Sequence, residues 1–144
     1  MKPTPFDMET DLPPIPFDER HCRLALALKD AGLPWTPHVG CFVWDFDGHL
    51  KVSSPFPGKV YFILNLGHFL RIFGTLDRVV ESLAWLPTWH QARLLCVKLE
   101  ANPKDVAAVW TPELALSPGE ELLALYTVLL KTLQDAGKGK VGRP

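Results

Sequence analysis

Hydrophobic residues follow two kinds of spacing along this chain, and the spacing changes near residues 40 and 66. From residue 18 to residue 31 they recur every three to four positions, which is typical of an amphipathic helix. Asp18 is a suitable N-cap for this helix, and Gly32 supplies the left-handed conformation that ends it. Residues 40–65 are rich in β-branched and aromatic side chains, which favour strands.

The strand-forming region contains a strong turn signal. Residues 40–46 and 49–53 flank Asp47-Gly48, a dipeptide typical of a two-residue hairpin turn. A third apolar run, residues 59–65, follows a connection rich in proline and glycine. We therefore expect a three-stranded antiparallel meander over about residues 40–65, in which Asp45 pairs with Leu50 across the hairpin.

The helical spacing returns after residue 65 and predicts four to five helices. Thr75, Thr88, Asn102 and Ser117 are the capping residues that divide this half of the chain into segments. The last helix is the longest and carries a wide apolar stripe made of Leu122, Leu123, Leu125, Tyr126, Leu129, Leu130 and Leu133. A stripe of this width contacts two neighbouring elements or a second subunit. The predicted class is α+β, with a helix-rich single domain over residues 17–136.

The two ends of the chain differ in composition from this domain. Residues 1–16 contain five prolines and predict an extended, proline-rich arm, because proline removes a backbone donor and disfavours helix. Residues 137–144 contain three glycines and three basic side chains and predict a flexible basic tail. The arm lacks the basic segment followed by an apolar segment that is typical of a signal peptide. No apolar run has the roughly 18 residues that a membrane span needs. We expect a soluble, cytoplasmic protein that does not enter a membrane.

Charge and cysteine usage exclude some functions. Among 144 residues, 15 basic and 16 acidic side chains leave a net charge of −1. A protein that holds a nucleic-acid backbone needs a basic surface, so we expect no nucleic acid as partner. The three cysteines are far apart and odd in number, which predicts reduced thiols rather than a disulfide framework.

One string, VWDFDGHL over residues 43–50, places two aspartates after an apolar start. It resembles the first motif of the haloacid dehalogenase-like phosphatases. That resemblance implies that Asp45 attacks phosphorus, that Asp47 handles the proton of the leaving group, and that a parallel Rossmann-like sheet and magnesium support both. His49 stands where that family prefers threonine or valine, and neither a βαβ alternation nor a later acidic pair is visible. The second interpretation is that Asp47 forms a hairpin turn, and that Asp45 caps a loop or pairs with a lysine at the edge of the sheet.

Several metal-ligating residue types lie close together in the same region. His38, Cys41, Asp45 and His49 fall within twelve residues. Zinc requires four converging ligands, and this group has only half of a recognisable ligand set. We therefore expect no metal site and no cofactor.

A third group of candidates lies at the beginnings of two helices. Asn65, His68 and Arg71 begin one helix, and Trp89, His90 and Arg93 begin another. Backbone N–H groups at a helix start, together with basic side chains, suit a carboxylate or phosphate, and tryptophan stacks on planar ligands. With His38 these residues are the predicted ligand-binding set. The other interpretation is that they only cap helices or lie in solvent.

The function that we expect follows from the absence of a recognisable catalytic set among these candidate residues. No complete set of nucleophile, base and orienting residue is visible. We expect a non-catalytic protein that binds a partner or a small anionic ligand. We expect it to act as a homodimer, because its charge is near zero and its last helix carries a wide apolar stripe. The alternative is a metal-dependent hydrolase or phosphoryl-transfer enzyme that uses Asp45 and Asp47.

Overall fold

The computed structural model describes residues 4–141, and it describes side chains as far as residue 138. In chain order the elements are α1 (Glu19–Asp30), β1 (Phe42–Trp44), β2 (Val60–Phe62), α2 (Leu66–Phe73), α3 (Leu76–Ser82), β3 (Ala84–Leu86), α4 (Trp89–Lys98), α5 (Pro103–Ala107), α6 (Pro112–Ala115) and α7 (Pro118–Val141). None of the helices in this part of the chain is long and apolar enough to cross a membrane.

The sheet has three short antiparallel strands in the order β2-β1-β3. Val43 in the central strand lies opposite Tyr61 on one side and Trp85 on the other. Because side chains alternate between the faces of a sheet, β1 contributes side chains to two hydrophobic cores. Phe42 and Trp44 pack against the larger core with α1, α4 and α7, whereas Val43 is buried in a smaller core with α2 and α3. The sheet therefore lies between α2 and α4.

The longest helix, α7, lies in the larger core beside α1 and α4. Leu122, Leu125, Tyr126 and Leu129 are fully buried, and Leu130 and Leu133 pack against the same core. The Tyr126 hydroxyl donates a hydrogen bond to the carbonyl oxygen of Pro87, and burial raises the pKa of this phenol well above its usual value. The wide apolar stripe of α7 is explained by two neighbouring helices within one copy, so it no longer supports a second subunit.

The predicted α+β class, with an N-terminal helix and a three-stranded antiparallel sheet, is confirmed. Four to five C-terminal helices were expected, and the structure has α2, α3, α4, α5 and α7 together with the short helix α6. The expected hairpin is wrong, because residues 49–53 form no strand. The third strand is β3, which lies in the segment between Thr75 and Thr88 that was predicted to be helical.

Asp45 explains why the hairpin does not form. Its two carboxylate oxygens accept hydrogen bonds from the backbone N–H groups of His49 (2.9 Å) and Leu50 (2.8 Å). In the expected hairpin the N–H of His49 would instead donate to the backbone of the partner strand. Gly48 has a φ of +68°, but Asp47 does not, whereas a type I′ turn needs a positive φ at both positions. The backbone N–H of Asp45 instead donates to the carbonyl oxygen of Lys59 (3.0 Å), next to β2.

The ends of the chain are only partly described. Residues 1–3 of the predicted arm and residues 142–144 of the predicted tail lie outside the described residues. Helix α7 continues through Val141, past residue 136, where the predicted domain ends. Residues 4–14 are exposed, and the next residue, Ile15, packs against the larger core.

Candidate functional site

The predicted ligand-binding residues are divided between the two faces of the sheet. His38, Asn65, His68 and Arg71 lie around the start of α2, where the N–H of Gly40 donates to the carbonyl oxygen of Ile63. All four side chains are exposed. The other three predicted residues, Trp89, His90 and Arg93, are on α4, beyond the sheet. The two groups therefore do not form one site.

The polar groups around α2 interact with nearby backbone. Asn65 Oδ1 accepts a hydrogen bond from the N–H of His68 at 3.3 Å and so caps the helix. Arg71 Nε donates to the carbonyl oxygen of Gly67 at 3.5 Å, and His38 Nδ1 lies 2.7 Å from the carbonyl oxygen of Val39. These are the contacts of a helix start and a loop rather than of a converging ligand site.

Helix α4 begins with the predicted capping box. The N–H of Gln91 donates to Thr88 Oγ1 (3.2 Å), and the N–H of Thr88 donates to Gln91 Oε1 (2.9 Å). With these two residues engaged, Trp89 and Arg93 extend from the first turns of the helix. They are four positions apart, so they lie on one face.

Arg93 lies against two indole rings. Its Cζ atom is 4.1 Å from the centroid of the Trp110 ring and 5.1 Å from that of Trp89. Trp89 is itself fixed, because its Nε1 donates to Glu121 Oε1 at 2.7 Å. We call Trp89, Arg93, Trp110 and Glu121 the Trp–Arg cluster. Cation–π contacts of this kind contribute from about 0.5 kcal/mol at exposed sites to about 2 kcal/mol when desolvated.

The N–H donors of Arg93 are available to bind an acceptor. Arg93 is half-buried, and within the described residues it makes no hydrogen bond or ion pair. A guanidinium carries five N–H donors in a planar fork that matches a carboxylate. The two indoles hold the fork in place, so little side-chain entropy remains to be lost when an acceptor binds.

A surface cavity of about 300 Å³ lies beside the cluster. Its lining is mainly apolar and consists of Val109, Trp110, Thr111, Pro112, Ala115 and Glu121. Trp89 is 44% exposed and Trp110 is 56% exposed, and Leu116 next to the cavity is 86% exposed. Large apolar side chains, a cation and a carboxylate thus lie together at one place on the surface.

Sequence reasoning found part of this cluster. Trp89 and Arg93 were predicted, while His90 is exposed and makes none of the cluster's contacts. Trp110 and Glu121 were missed. Tryptophan and arginine four residues apart on a helix are a usable local signal. Trp110 and Glu121 approach them only through tertiary packing, since α7 packs against α4 and α5 packs against α7.

The two aspartates of the phosphatase-like string face different surroundings. Asp45 is fully buried, and both of its oxygens accept backbone hydrogen bonds from residues 49 and 50. The Asp47 side chain is exposed, with His49 Nε2 at 3.8 Å. The sheet is antiparallel, unlike the parallel sheet that the resemblance implies. In this geometry Asp45 holds the loop that follows β1.

The described part of the chain contains no group of three His, Cys, Asp or Glu side chains arranged to hold a metal ion. Cys22, Cys41 and Cys96 are free and buried. Burial raises the pKa of the Cys22 thiol to about 12 and also raises that of Cys96. These two thiols are therefore protonated at neutral pH, which is the unreactive form of cysteine.

Comparisons of the chain with protein-family models, with curated proteins and with solved structures found no match.

Proposed function

We propose that this protein is a non-catalytic binding protein whose Trp–Arg cluster receives a segment of a partner protein. The observation that carries the proposal is the half-buried Arg93, stacked on Trp110 and Trp89 with its donors free among the described residues. Tryptophan and arginine dominate the binding energy of protein interfaces when they are held rigidly near an apolar pocket.

The chemistry of the cavity favours a peptide over a simple anion. Glu121 lines the cavity with a negative charge, and most of the other lining atoms are apolar. A phosphate ion would gain from Arg93 but would be repelled by Glu121. A peptide segment offers a carboxylate for Arg93, N–H donors for Glu121 and an apolar side chain for the cavity.

The proposed compartment is the cytoplasm. Three buried free thiols are the usual state of cysteine in a reducing environment. The geometry does not favour the enzymatic alternative with Asp45 and Asp47, because both oxygens of Asp45 accept backbone hydrogen bonds and Asp47 is exposed.

The test is an array of capped octapeptides that have glutamate at a fixed central position and vary in proline, leucine and phenylalanine around it. The matched array has glutamine at the same position. We expect the purified protein to bind a subset of the glutamate peptides and to bind their glutamine counterparts at least tenfold more weakly, since a charged hydrogen bond is lost.

Two variants locate the binding on the protein. Arg93→Gln should abolish the preference for glutamate, and Arg78→Gln should retain it, because Arg78 is an exposed arginine on α3, on the other side of the sheet. Equal melting temperatures of the two variants would show that folding is not the cause. Binding that is insensitive to Arg93, or an absence of binding to every peptide in the array, would contradict the proposal.

A further inference from the structure

The N-terminal arm has the composition that the Trp–Arg cluster would receive. Residues 4–16 contain four prolines and three acidic side chains, and they contain no basic side chain. Three apolar side chains before Ile15 remain in solvent: Phe6 is 41%, Met8 is 76% and Leu12 is 93% exposed. A segment that leaves so much apolar surface in water is suited to a binding partner.

A small turn gives this arm a defined tip. The N–H of Asp11 donates to the carbonyl oxygen of Asp7 at 2.9 Å. The N–H of Asp7 donates to Asp11 Oδ2, and the N–H of Glu9 donates to Asp7 Oδ1, both at 2.9 Å. Asp7 and Asp11 therefore stabilise the turn itself. Glu9 is the acidic residue of the turn whose carboxylate accepts no hydrogen bond from the described residues.

The base of the arm lies near the cluster. Pro16 is next to Gly119, since a Cβ atom added to Gly119 would be 4.0 Å from Pro16 Cβ. Two residues further along α7, Glu121 accepts the hydrogen bond from Trp89. Glu9 lies seven residues before Pro16, and a chain segment of that length spans at most about 25 Å, which sets how closely a second copy must be placed against this surface.

We propose that the arm of one copy docks on the Trp–Arg cluster of a second copy, with Glu9 bound to Arg93 and a neighbouring apolar side chain in the cavity. This inference rests on the proposed function, because it names the partner segment that the cluster receives. The exchange is reciprocal under twofold symmetry, so a dimer contains two copies of the same contact and neither cluster is left empty.

Charge complementarity supports this occupant. Residues 4–16 of the arm supply acidic side chains and proline and carry no basic group that Arg93 would repel, and Lys2 is the one basic side chain before them. Proline rings pack well on tryptophan faces and lose little conformational entropy on binding. Residues 4–14 are exposed in the single copy. They can therefore dock on a second copy without a change in the core of either one.

The test exchanges the two charges in the full-length chain. Sedimentation velocity at micromolar concentrations should show the wild-type chain as a dimer of the 16.1 kDa subunit. Glu9→Arg and Arg93→Glu should each weaken dimerisation at least tenfold, because each places like charges at the contact. Thr10→Ala, a change at the neighbouring position of the same turn, should leave it unaltered.

The decisive sample is an equimolar mixture of the Glu9→Arg and Arg93→Glu chains. In the mixture each arm meets a residue of opposite charge at position 93 of the other chain, so dimers should return, whereas neither variant alone forms them at the same concentration. If the arm docks on its own chain, mixing restores nothing. That result, or a wild-type chain that stays monomeric at these concentrations, would overturn the inference.

The peptide array distinguishes this failure from failure of the proposed function. When the array is probed with the Glu9→Gln chain, the arm does not compete for Arg93. Binding of glutamate peptides by this variant, together with a wild-type chain that stays monomeric, would overturn the arm exchange alone. If substitutions at Arg93 do not change dimerisation, and the Glu9→Gln chain binds no peptide of the array, both the arm exchange and the proposed function are overturned.

Discussion

At the scale of single residues, the clearest case is Asp45. A buried carboxylate is costly unless hydrogen bonds compensate for its lost hydration. Here two backbone N–H groups, from His49 and Leu50, supply that compensation and fix the loop after β1. The same residue therefore looks like a catalytic aspartate in the sequence and acts as a loop anchor in the fold.

Asp45→Asn should destabilise the protein by about 1 to 3 kcal/mol, because the amide offers only one acceptor to two buried donors. Asp47→Asn is the matched control and should change stability little, since that side chain is exposed. The measurement is urea denaturation of both variants. Equal stability of the Asp45 variant and the wild type would show that the two hydrogen bonds do not anchor the loop.

At the scale of elements, the beginnings of α1 and α7 are joined by polar contacts. Asp18 caps α1, and Arg20 bridges Asp18 (2.9 Å) and Glu120 (2.6 Å). The buried His21 has its Nε2 3.0 Å from the carbonyl oxygen of Gly119. Burial raises the pKa of Asp18, but hydrogen bonds from Arg20 and His21 outweigh this effect and bring it to about 2.

This shift has a defined consequence for acid stability. The folded-state pKa of Asp18 lies below its ordinary value of 3.8, so its contribution is complete above about pH 4 and is lost as the pH falls towards 2. Asp18→Asn should lower the urea midpoint at neutral pH, and its difference from wild type should shrink between about pH 4 and pH 2. Asp30→Asn, at the other end of α1, should not show this pattern. A difference that is constant with pH would contradict the assignment.

Elements that depend on local signals were predicted from the sequence. The Asp18 cap, the Thr88 and Gln91 capping box and the end of α1 before Gly32 all follow from residues within four positions of one another. β3 could not be predicted in this way. Its three residues are too short to show an alternation, and its partner in β1 is about forty residues away, so pairing overrides the helical pattern before it.

At the scale of the whole molecule, the sheet separates two surfaces that the sequence had suggested could work together. The α2 surface carries His38, Asn65 and His68, and the α4 surface carries the Trp–Arg cluster. The cluster needs side chains from α4, from the segment after α5 and from α7. Its assembly depends on helix packing, which is why Trp110 and Glu121 left no signal in the sequence.

The central claim is that ligands bind at the Trp–Arg cluster, and the indole N–H signals of the five tryptophans test it directly. A ¹⁵N-labelled Glu9→Gln chain would be titrated with the pooled glutamate octapeptides and followed by heteronuclear correlation spectra. We predict that the signals of Trp89 and Trp110 move, while those of Trp35, Trp44 and Trp85 stay in place. Binding that moves only the latter three signals, or a titration that moves none, would contradict the account.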